Sequence, residues 1–231
     1  MAEPSRPGAG NWKLAAVAAL LGIMLGAGTM LLANGYFIRS YLLENPEILP
    51  EAMDRLRERE AAQAIGRHRA ALERPFHSAW AGAADGDVVL VEFFDYACGY
   101  CRASNPDIER LLREDPRLKV VWREYPVLGP NSEAAAIASL AAAKAGRFRP
   151  FYDRLFATAR PTEASIAAAR QAAAVPEATL TPEFRQELER NFEIGRAIGA
   201  TGTPTFVVGN RVLQGAVGYP ALREAIRAAR E

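Results

Sequence analysis

The sequence has few residues of the types that bind transition metals tightly. It contains two cysteines and two histidines in 231 residues, and the histidines, His68 and His77, lie on opposite sides of Pro75. A structural zinc site usually needs four cysteine or histidine ligands close together. We therefore expect no metal site, and we interpret both histidines as surface residues.

An excess of charge of either sign is also missing. The 28 basic and 27 acidic residues leave a formal net charge of +1. A domain that binds nucleic acid normally carries a basic patch that neutralises phosphates. The composition therefore gives no support for a nucleic-acid partner. Half of the residues are apolar, which is enough for a sizeable core in one domain.

Charged residues are absent from 14–38, a run of 25 residues. As a helix rising about 1.5 Å per residue, this run would exceed the hydrocarbon layer of roughly 30 Å. The sequence therefore predicts a transmembrane anchor. A cleaved signal segment is the alternative, although its apolar stretch is usually shorter. Basic residues before the run predict that the tail at 1–13 stays in the cytoplasm and that the rest is exported, to a compartment where disulfides persist.

The two cysteines, Cys98 and Cys101, follow an apolar run from Val88 to Phe94 that is typical of a strand buried on both faces. A strand that leads into Cys-x-x-Cys, with a helical pattern after it, is typical of a redox-active dithiol. At a helix start near Gly99, the Cys98 sulfur would face unpaired N–H groups, which favour thiolate over thiol. Cys101 would then resolve a mixed disulfide. A structural disulfide, a zinc site and two inert thiols are the alternatives.

A block of predicted helices separates the second strand pattern, at 118–127, from the next one. The patterns indicate helices at 132–145, 150–159, 162–174 and 182–198. Six aromatic residues of this block are predicted to be core: Phe148, Phe151, Tyr152, Phe156, Phe184 and Phe192. After the block, a turn at Gly209 and Asn210 predicts a hairpin, and Pro220 begins a final helix.

The segment Phe-Phe-Asp-Tyr-Ala-Cys-Gly-Tyr-Cys at 93–101 resembles the active site of thioredoxin-fold thiol:disulfide oxidoreductases of the DsbA type. Together with Tyr-Leu-Leu-Glu-Asn-Pro-Glu-Ile-Leu at 41–49, it is most similar to the suppressor-of-copper-sensitivity C branch and its Com1-like relatives. The resemblance covers about residues 36–231, with a weaker stretch at 74–86.

This resemblance implies a fold and a proton-transfer residue. The fold is α/β, a thioredoxin fold at 75–231 with a helical domain inserted at about 131–198. By the resemblance, Glu92 is a buried acid that exchanges a proton with the thiol of Cys101. The alternative is that its strand lies at the sheet edge and that Glu92 faces water. No cofactor is implied beyond the redox-active disulfide between Cys98 and Cys101.

The resemblance also implies a surface that binds clients. Thr203 and Pro204 would form a cis-proline loop that faces the cysteines and offers backbone groups to an extended client segment. Gly99 and Tyr100, between the cysteines, are assigned to the same surface. Because only about 5 to 6% of X-Pro bonds are cis in folded proteins, the bond before Pro204 is a specific expectation.

Residues 39–74 are predicted to form a helical stalk, with Asn45 as its N-cap and Pro46 at its first position. Apolar residues then recur at spacings of four and three, at Leu49, Met53 and Leu56. In one interpretation this is a solvated spacer helix whose short apolar face packs on its own domain. The resemblance favours self-association instead, since relatives use this region to form trimers.

The resemblance implies an activity in the bacterial cell envelope, with the chain anchored in the inner membrane or soluble in the periplasm. Gly99 and Tyr100 are not cationic, so the couple is expected to be less oxidising than the strongest oxidases. This pattern favours a disulfide isomerase or reductase over a dithiol oxidase. A Cu(I) carrier using both thiolates, or a chaperone-like tether, is the alternative of another class. The implied partners are exported client proteins and a membrane redox partner that resets the cysteines.

Overall fold

The computed structural model describes residues 12–231, with the backbone alone at 13, 25, 27, 29–34 and 36. The chain divides into two compact units between Arg55 and Leu56. The expected cytoplasmic tail at 1–13 lies almost wholly outside the described residues.

Two helices, α1 (Trp12–Glu44) and α2 (Ile48–Leu72), form the N-terminal part of the described chain. The prediction that Asn45 caps the start of the second helix is wrong, because α2 begins three residues later. The backbone and side-chain N–H groups of Asn45 both donate to the Tyr41 carbonyl, each at 2.9 Å. Asn45 therefore caps the end of α1, where carbonyl groups lack partners within the helix.

The charge-free run at 14–38 is helical along its whole length, as part of α1. Among the residues whose side chains the structure describes, however, no helix is both long and apolar enough to cross a membrane. The expectation of a transmembrane anchor at this run is therefore not supported by the structure.

Five strands form one mixed sheet. They are β1 (Trp80–Gly82), β2 (Val88–Phe94), β3 (Leu118–Glu124), β4 (Thr205–Val208) and β5 (Arg211–Gln214). Their order in the sheet is β1-β3-β2-β4-β5, with β2 and β3 parallel and the other neighbouring pairs antiparallel. The predicted apolar strand is therefore central. A central strand covered on both faces explains why nearly all of its residues are apolar.

Helices cover both faces of the sheet. They are α3 (Gly99–Glu114), α4 (Pro130–Lys144), α5 (Phe148–Phe156), α6 (Glu163–Ala172), α7 (Pro182–Ala197) and α8 (Gly218–Ala228). Leu90 and Phe94 of β2 pack in one core cluster with residues of α3, α4, α5, α6 and α8. Val91 and Phe93 pack in another with residues of α2 and α7. The thioredoxin-like α/β fold expected from the resemblance is confirmed.

Helices α4 to α7 all lie between β3 and β4, in the block that the sequence marks as helical. The five aromatic residues Phe148, Phe151, Tyr152, Phe156 and Phe184 are buried as predicted, and Phe192 is partly buried against Tyr125. The four aromatic residues of α5 share one core cluster with Phe94 and Tyr96, the residues before and after the buried Asp95. The helical insertion and the cysteine segment at 93–101 therefore have a common core.

Arg123 of β3 is a buried charge that holds the end of α2. Its side chain is 2% exposed, and its ion-pair partner Glu187 is 6% exposed. The guanidinium donates to the carbonyl oxygens of Ala71, Leu72 and Arg74, to the Glu187 carboxylate and to the Asn191 side-chain oxygen. These carbonyl groups lie at a helix C-terminus, where a cation is favourable.

We expect Arg123→Met to lower the free energy of unfolding by about 3–5 kcal/mol. The substitution leaves the buried Glu187 carboxylate with the partly exposed Arg190 alone and removes the donor to three carbonyl groups at the end of α2. Urea unfolding followed by circular dichroism measures this loss. The matched control is Arg117→Met, which removes an exposed ion pair with Asp87 and should change the free energy of unfolding by less than about 1 kcal/mol. Equal losses in the two variants would contradict this role of Arg123.

Candidate active site

Cys98 is the N-cap residue of α3 and follows the central strand by four residues. Its sulfur accepts a hydrogen bond from the Cys101 backbone N–H at 3.4 Å. Its thiol donates to the carbonyl oxygen of Thr203 at 3.1 Å. The first N–H groups of a helix have no partner within the helix, so a sulfur at this position is surrounded by donors.

This environment lowers the pKa of the Cys98 thiol from its ordinary value to about 5. The largest cause is the hydrogen bond with the Cys101 side chain. The Thr203 side chain and the backbone N–H groups of Cys101 and Tyr100 also lower the pKa, and partial burial opposes them. Cys98 is therefore mainly a thiolate at neutral pH, the form in which cysteine acts as a nucleophile.

Cys101 has the opposite character. It is completely buried in the first turn of α3, and burial raises the pKa of its thiol far above the ordinary value. Both cysteines are free thiols. The pair thus consists of an ionised sulfur and a protonated one. In the described part of the chain, no three histidine, cysteine, aspartate or glutamate side chains are grouped so that they could hold a metal ion.

Glu92 is completely buried in the central strand, which excludes the alternative of an edge position facing water. Burial, assisted by the charge of Cys98, raises the pKa of its carboxyl to about 8, although Trp122 and Tyr152 act to lower it. Neither carboxyl oxygen has a partner at hydrogen-bond distance within the described chain. Charge interaction with Glu92 also raises the pKa of Cys101, so the acid and the deeper thiol are coupled.

Sequence reasoning missed two neighbours of this acid, Trp122 and Tyr152. Both are buried, and their rings lie 5.3 Å apart between centroids. The Tyr152 hydroxyl donates to the side-chain oxygen of Asn105 at 2.8 Å, on the half-buried face of α3. Tyr152 comes from the helical insertion, about 60 residues along the chain, so no local pattern could have paired it with Glu92.

A second buried acid, Glu124 of β3, lies on the strand next to Glu92. Burial raises the pKa of its carboxyl well above the ordinary value, and the charges of Asp95 and Glu92 act in the same direction. A Glu124 carboxyl that stays protonated adds no charge near Glu92. Its position at a strand end gave no signal in the sequence that it would be buried.

The loop at Thr203 and Pro204 lies against the cysteine segment, since the Thr203 carbonyl accepts from Cys98. The peptide bond between these two residues is cis, as the resemblance implied. The Thr205 hydroxyl donates to the Gly202 carbonyl at 2.7 Å and thereby braces the loop. Tyr100, in the first turn of α3 two residues after Cys98, is 71% exposed.

Asp95 is a further residue that the sequence analysis did not single out. Its carboxylate is buried, with 1% of the residue exposed. One oxygen accepts from the Ala97 N–H at 2.8 Å, and the other accepts from the N–H groups of Val127 and Leu128 at 2.9 and 3.0 Å. A carboxylate three residues before Cys98 was an available signal, but its distant partners were not predictable. Asp95 joins the cysteine segment to the loop after β3.

Residues 89–227 match the DSBA-like thioredoxin domain family, and residues 35–63 match the copper resistance protein ScsC N-terminal domain. The chain is similar to the solved structure of a Proteus mirabilis ScsC mutant that carries a linker deletion and a point substitution. The two are 31% identical, with a TM-score of 0.73, over 83% of this chain and 90% of that one. A periplasmic thioredoxin-like protein from Salmonella enterica serovar Typhimurium is 27% identical, with a TM-score of 0.66, over 70% and 95%.

Among curated proteins, the chain is 30% identical to the Na(+)/H(+) antiporter NhaA 3 of Salinispora tropica over 162 residues, which are 64% of this chain and 24% of the antiporter. The chain thus spans about a quarter of the length of this relative. It is 25% identical to disulfide bond formation protein D of Bacillus subtilis, over 63% of this chain and 73% of that one. The family match over more than half of the sequence shows that the chain belongs to the DSBA-like thioredoxin domain family, in the branch that includes ScsC.

Proposed function

We propose that this protein is a thiol:disulfide oxidoreductase that exchanges disulfides with exported client proteins. The observation that carries the proposal is the unequal pair of sulfurs, one with a pKa of about 5 at a helix start and one buried with a raised pKa. Membership of the DSBA-like family supports it. An acidic thiolate and a buried partner three residues away are what successive exchange steps require.

In the reducing direction, the Cys98 thiolate attacks one sulfur of a client disulfide. The client S–S bond breaks, a mixed disulfide with Cys98 forms, and the other client sulfur leaves as a thiolate. Cys101 then loses its proton and attacks the Cys98 sulfur, which releases the second client thiolate. The client gains two electrons, and the enzyme ends with a disulfide between its cysteines. Oxidation of a client runs through the same steps in reverse.

Glu92 accepts the proton of the Cys101 thiol in the second step. With a pKa of about 8 it is mostly protonated at neutral pH in the reduced enzyme. The thiolate charge of Cys98 contributes to this high pKa, and the charge disappears when the mixed disulfide forms. The pKa of Glu92 therefore falls when Cys98 is bound to a client, and the carboxylate becomes available when Cys101 needs a base.

Within this function we propose isomerase or reductase activity rather than dedicated oxidation. A cysteine pKa near 7 accompanies a potential of about −270 mV in thioredoxin, and one near 3.5 accompanies about −120 mV in DsbA. The value of about 5 for Cys98 lies between these. No cationic residue stands between the cysteines to stabilise the thiolate further.

We expect a potential of roughly −180 to −210 mV for the disulfide couple. Equilibration with glutathione redox buffers measures it. Reactivation of a scrambled ribonuclease by the wild-type protein, lost in Cys98→Ala, should accompany this potential. A value near −120 mV with no isomerase activity would favour a dedicated oxidase instead.

We propose that the catalytic domain works in the bacterial cell envelope outside the cytoplasm. The similar protein from Salmonella is described as periplasmic, and disulfides persist in that compartment. Its partners there would be secreted proteins and a membrane protein that resets the cysteine pair. A phosphatase that is active only outside the cytoplasm, fused after residue 231, should be active; an inactive fusion would contradict this location.

We also propose that the chain self-associates as a trimer through α2. The apolar side chains of Leu49, Met53 and Leu56 are each more than half exposed. They lie within the stretch that matches the ScsC N-terminal domain. A row of exposed apolar residues on a helix is stabilised when copies bury it against one another.

Light scattering on the exported chain should give three times the monomer mass. Replacing Leu49, Met53 and Leu56 together by serine should reduce the mass to that of a monomer. Glu58→Ser, at an exposed position of the same helix, should leave the mass of a trimer. A wild-type chain with the mass of a monomer at micromolar concentration would contradict self-association.

A further inference from the structure

The side chain of Gln214 crosses the loop that carries the cis-proline. This loop, at 199–204, joins α7 to β4, and Gln214 is the last residue of the edge strand β5, where it pairs with Thr205 of β4. The Gln214 amide oxygen accepts from the Thr205 hydroxyl at 2.8 Å, and from the backbone N–H and the hydroxyl of Thr201 at 3.4 and 3.3 Å. Its amide nitrogen donates to the Gly199 carbonyl at 3.0 Å. One side chain therefore joins the start of the loop to the strand that follows it.

The orientation of this amide is fixed by its partners. A backbone N–H can only donate and a carbonyl can only accept, so the oxygen of Gln214 must face Thr201 and its nitrogen must face Gly199. The Thr205 hydroxyl carries one hydrogen and has two acceptors, the Gln214 oxygen at 2.8 Å and the Gly202 carbonyl at 2.7 Å. Because Thr205 is completely buried, these contacts fasten the exposed part of the loop to a fixed position of the sheet.

Thr203, within this loop, is the residue that contacts the reactive sulfur. Its carbonyl accepts from the Cys98 thiol at 3.1 Å, and its side chain lowers the pKa of that thiol. The residue after Gln214 adds a backbone contact, since the Gly215 N–H donates to the Pro204 carbonyl at 2.8 Å. Hydrogen bonds weaken steeply as their distance and angle depart from the optimum, so a displaced loop would change the acidity of Cys98.

We propose that Gln214 is a positioning residue, which fastens the cis-proline loop and so keeps Thr203 at the Cys98 sulfur. The inference rests on the proposed exchange function and adds a residue that acts on the nucleophile from outside the cysteine segment. Gln214 and its partners in the loop are uncharged, so its influence on Cys98 passes through the position of Thr203 and not through charge. Gln214 is itself exposed, and it can therefore be replaced without opening the core.

Gln214→Leu tests this role, because it nearly keeps the size of the side chain and removes its hydrogen bonds. When the reduced variant is alkylated with iodoacetamide, the midpoint for Cys98 should rise from near pH 5 by about half a pH unit. A less acidic Cys98 stabilises the reduced protein less at neutral pH, so the equilibrium constant for reduction by glutathione should fall about threefold. Gln186→Leu, the same chemical change at an exposed position of α7, is the matched control and should alter neither quantity.

Thr203→Val decides whether Gln214 acts through Thr203. It removes the hydroxyl and should raise the midpoint by at least as much as Gln214→Leu does. Added to Thr203→Val, Gln214→Leu should produce no further rise. Independent, additive rises would overturn the proposal, as would a Gln214→Leu midpoint equal to that of the wild type. A wild-type protein that has an acidic Cys98 but reduces no client disulfide would instead refute the exchange function. Alkylation needs no client, so the midpoints would still decide the role of Gln214.

Discussion

Cys101→Ser is expected to leave the protein covalently attached to its clients. Cys98 remains able to attack a client disulfide, but no second thiol releases the mixed disulfide that forms. Non-reducing electrophoresis and mass spectrometry of the variant, incubated with a disulfide-containing client, should show one client chain per enzyme chain. Cys98→Ala should form no such adduct and should lower the exchange rate at least about a thousandfold, since it removes the nucleophile.

The control for these two variants is the double replacement of both cysteines. It should form no adduct, as Cys98→Ala does, because a mixed disulfide can be resolved only after Cys98 has formed it. Adducts formed by Cys98→Ala but not by Cys101→Ser would reverse the assigned roles. Such a result would be hard to reconcile with the complete burial of Cys101 and the low pKa of Cys98.

Glu92→Gln is expected to slow resolution of the mixed disulfide about a hundredfold, because the Cys101 thiol then has no base within reach. In single-turnover experiments, the wild-type resolution rate should rise with pH as the carboxyl ionises, with an inflection at or below the pKa of about 8. The variant should lack this inflection. The rate at which Cys98 attacks a small disulfide is the internal control. An unchanged rate shows that the variant is still folded.

The same substitution should also stabilise the protein, which separates a catalytic effect from damage to the fold. The carboxyl of Glu92 has a pKa of about 8 in the folded chain and an ordinary, lower value when unfolded. Between these values the folded state binds the extra proton, so wild-type stability falls as pH rises from about 5 to 8. Glu92→Gln should abolish that fall. A variant that is slower and also less stable at pH 8 would contradict the assignment.

The features that could be predicted from sequence are those set by neighbouring residues. An apolar strand followed by Cys-x-x-Cys predicts a buried strand and a helix start, and Cys98 is the N-cap of α3. The turn at Gly209 and Asn210 likewise joins β4 and β5. These are local choices of backbone conformation, governed by periodicity and turn residues.

The features that could not be predicted join distant parts of the chain. The partners of Asp95 lie 32 and 33 residues beyond it, and Tyr152 reaches Glu92 only because the helical insertion folds back onto the sheet. The misplaced start of α2 has a different cause. The Asn45 side chain was equally suited to capping the next helix or the preceding one, and the structure uses the preceding one.

The acidity of Cys98 is the property on which the account depends, and alkylation of the reduced wild-type protein across pH measures it most directly. With iodoacetamide, and with mass spectrometry to identify the modified residue, the rate at Cys98 should follow a single titration with a midpoint near pH 5, while Cys101 stays unmodified. A midpoint between about 8 and 9, the range of an ordinary thiol, would contradict the account.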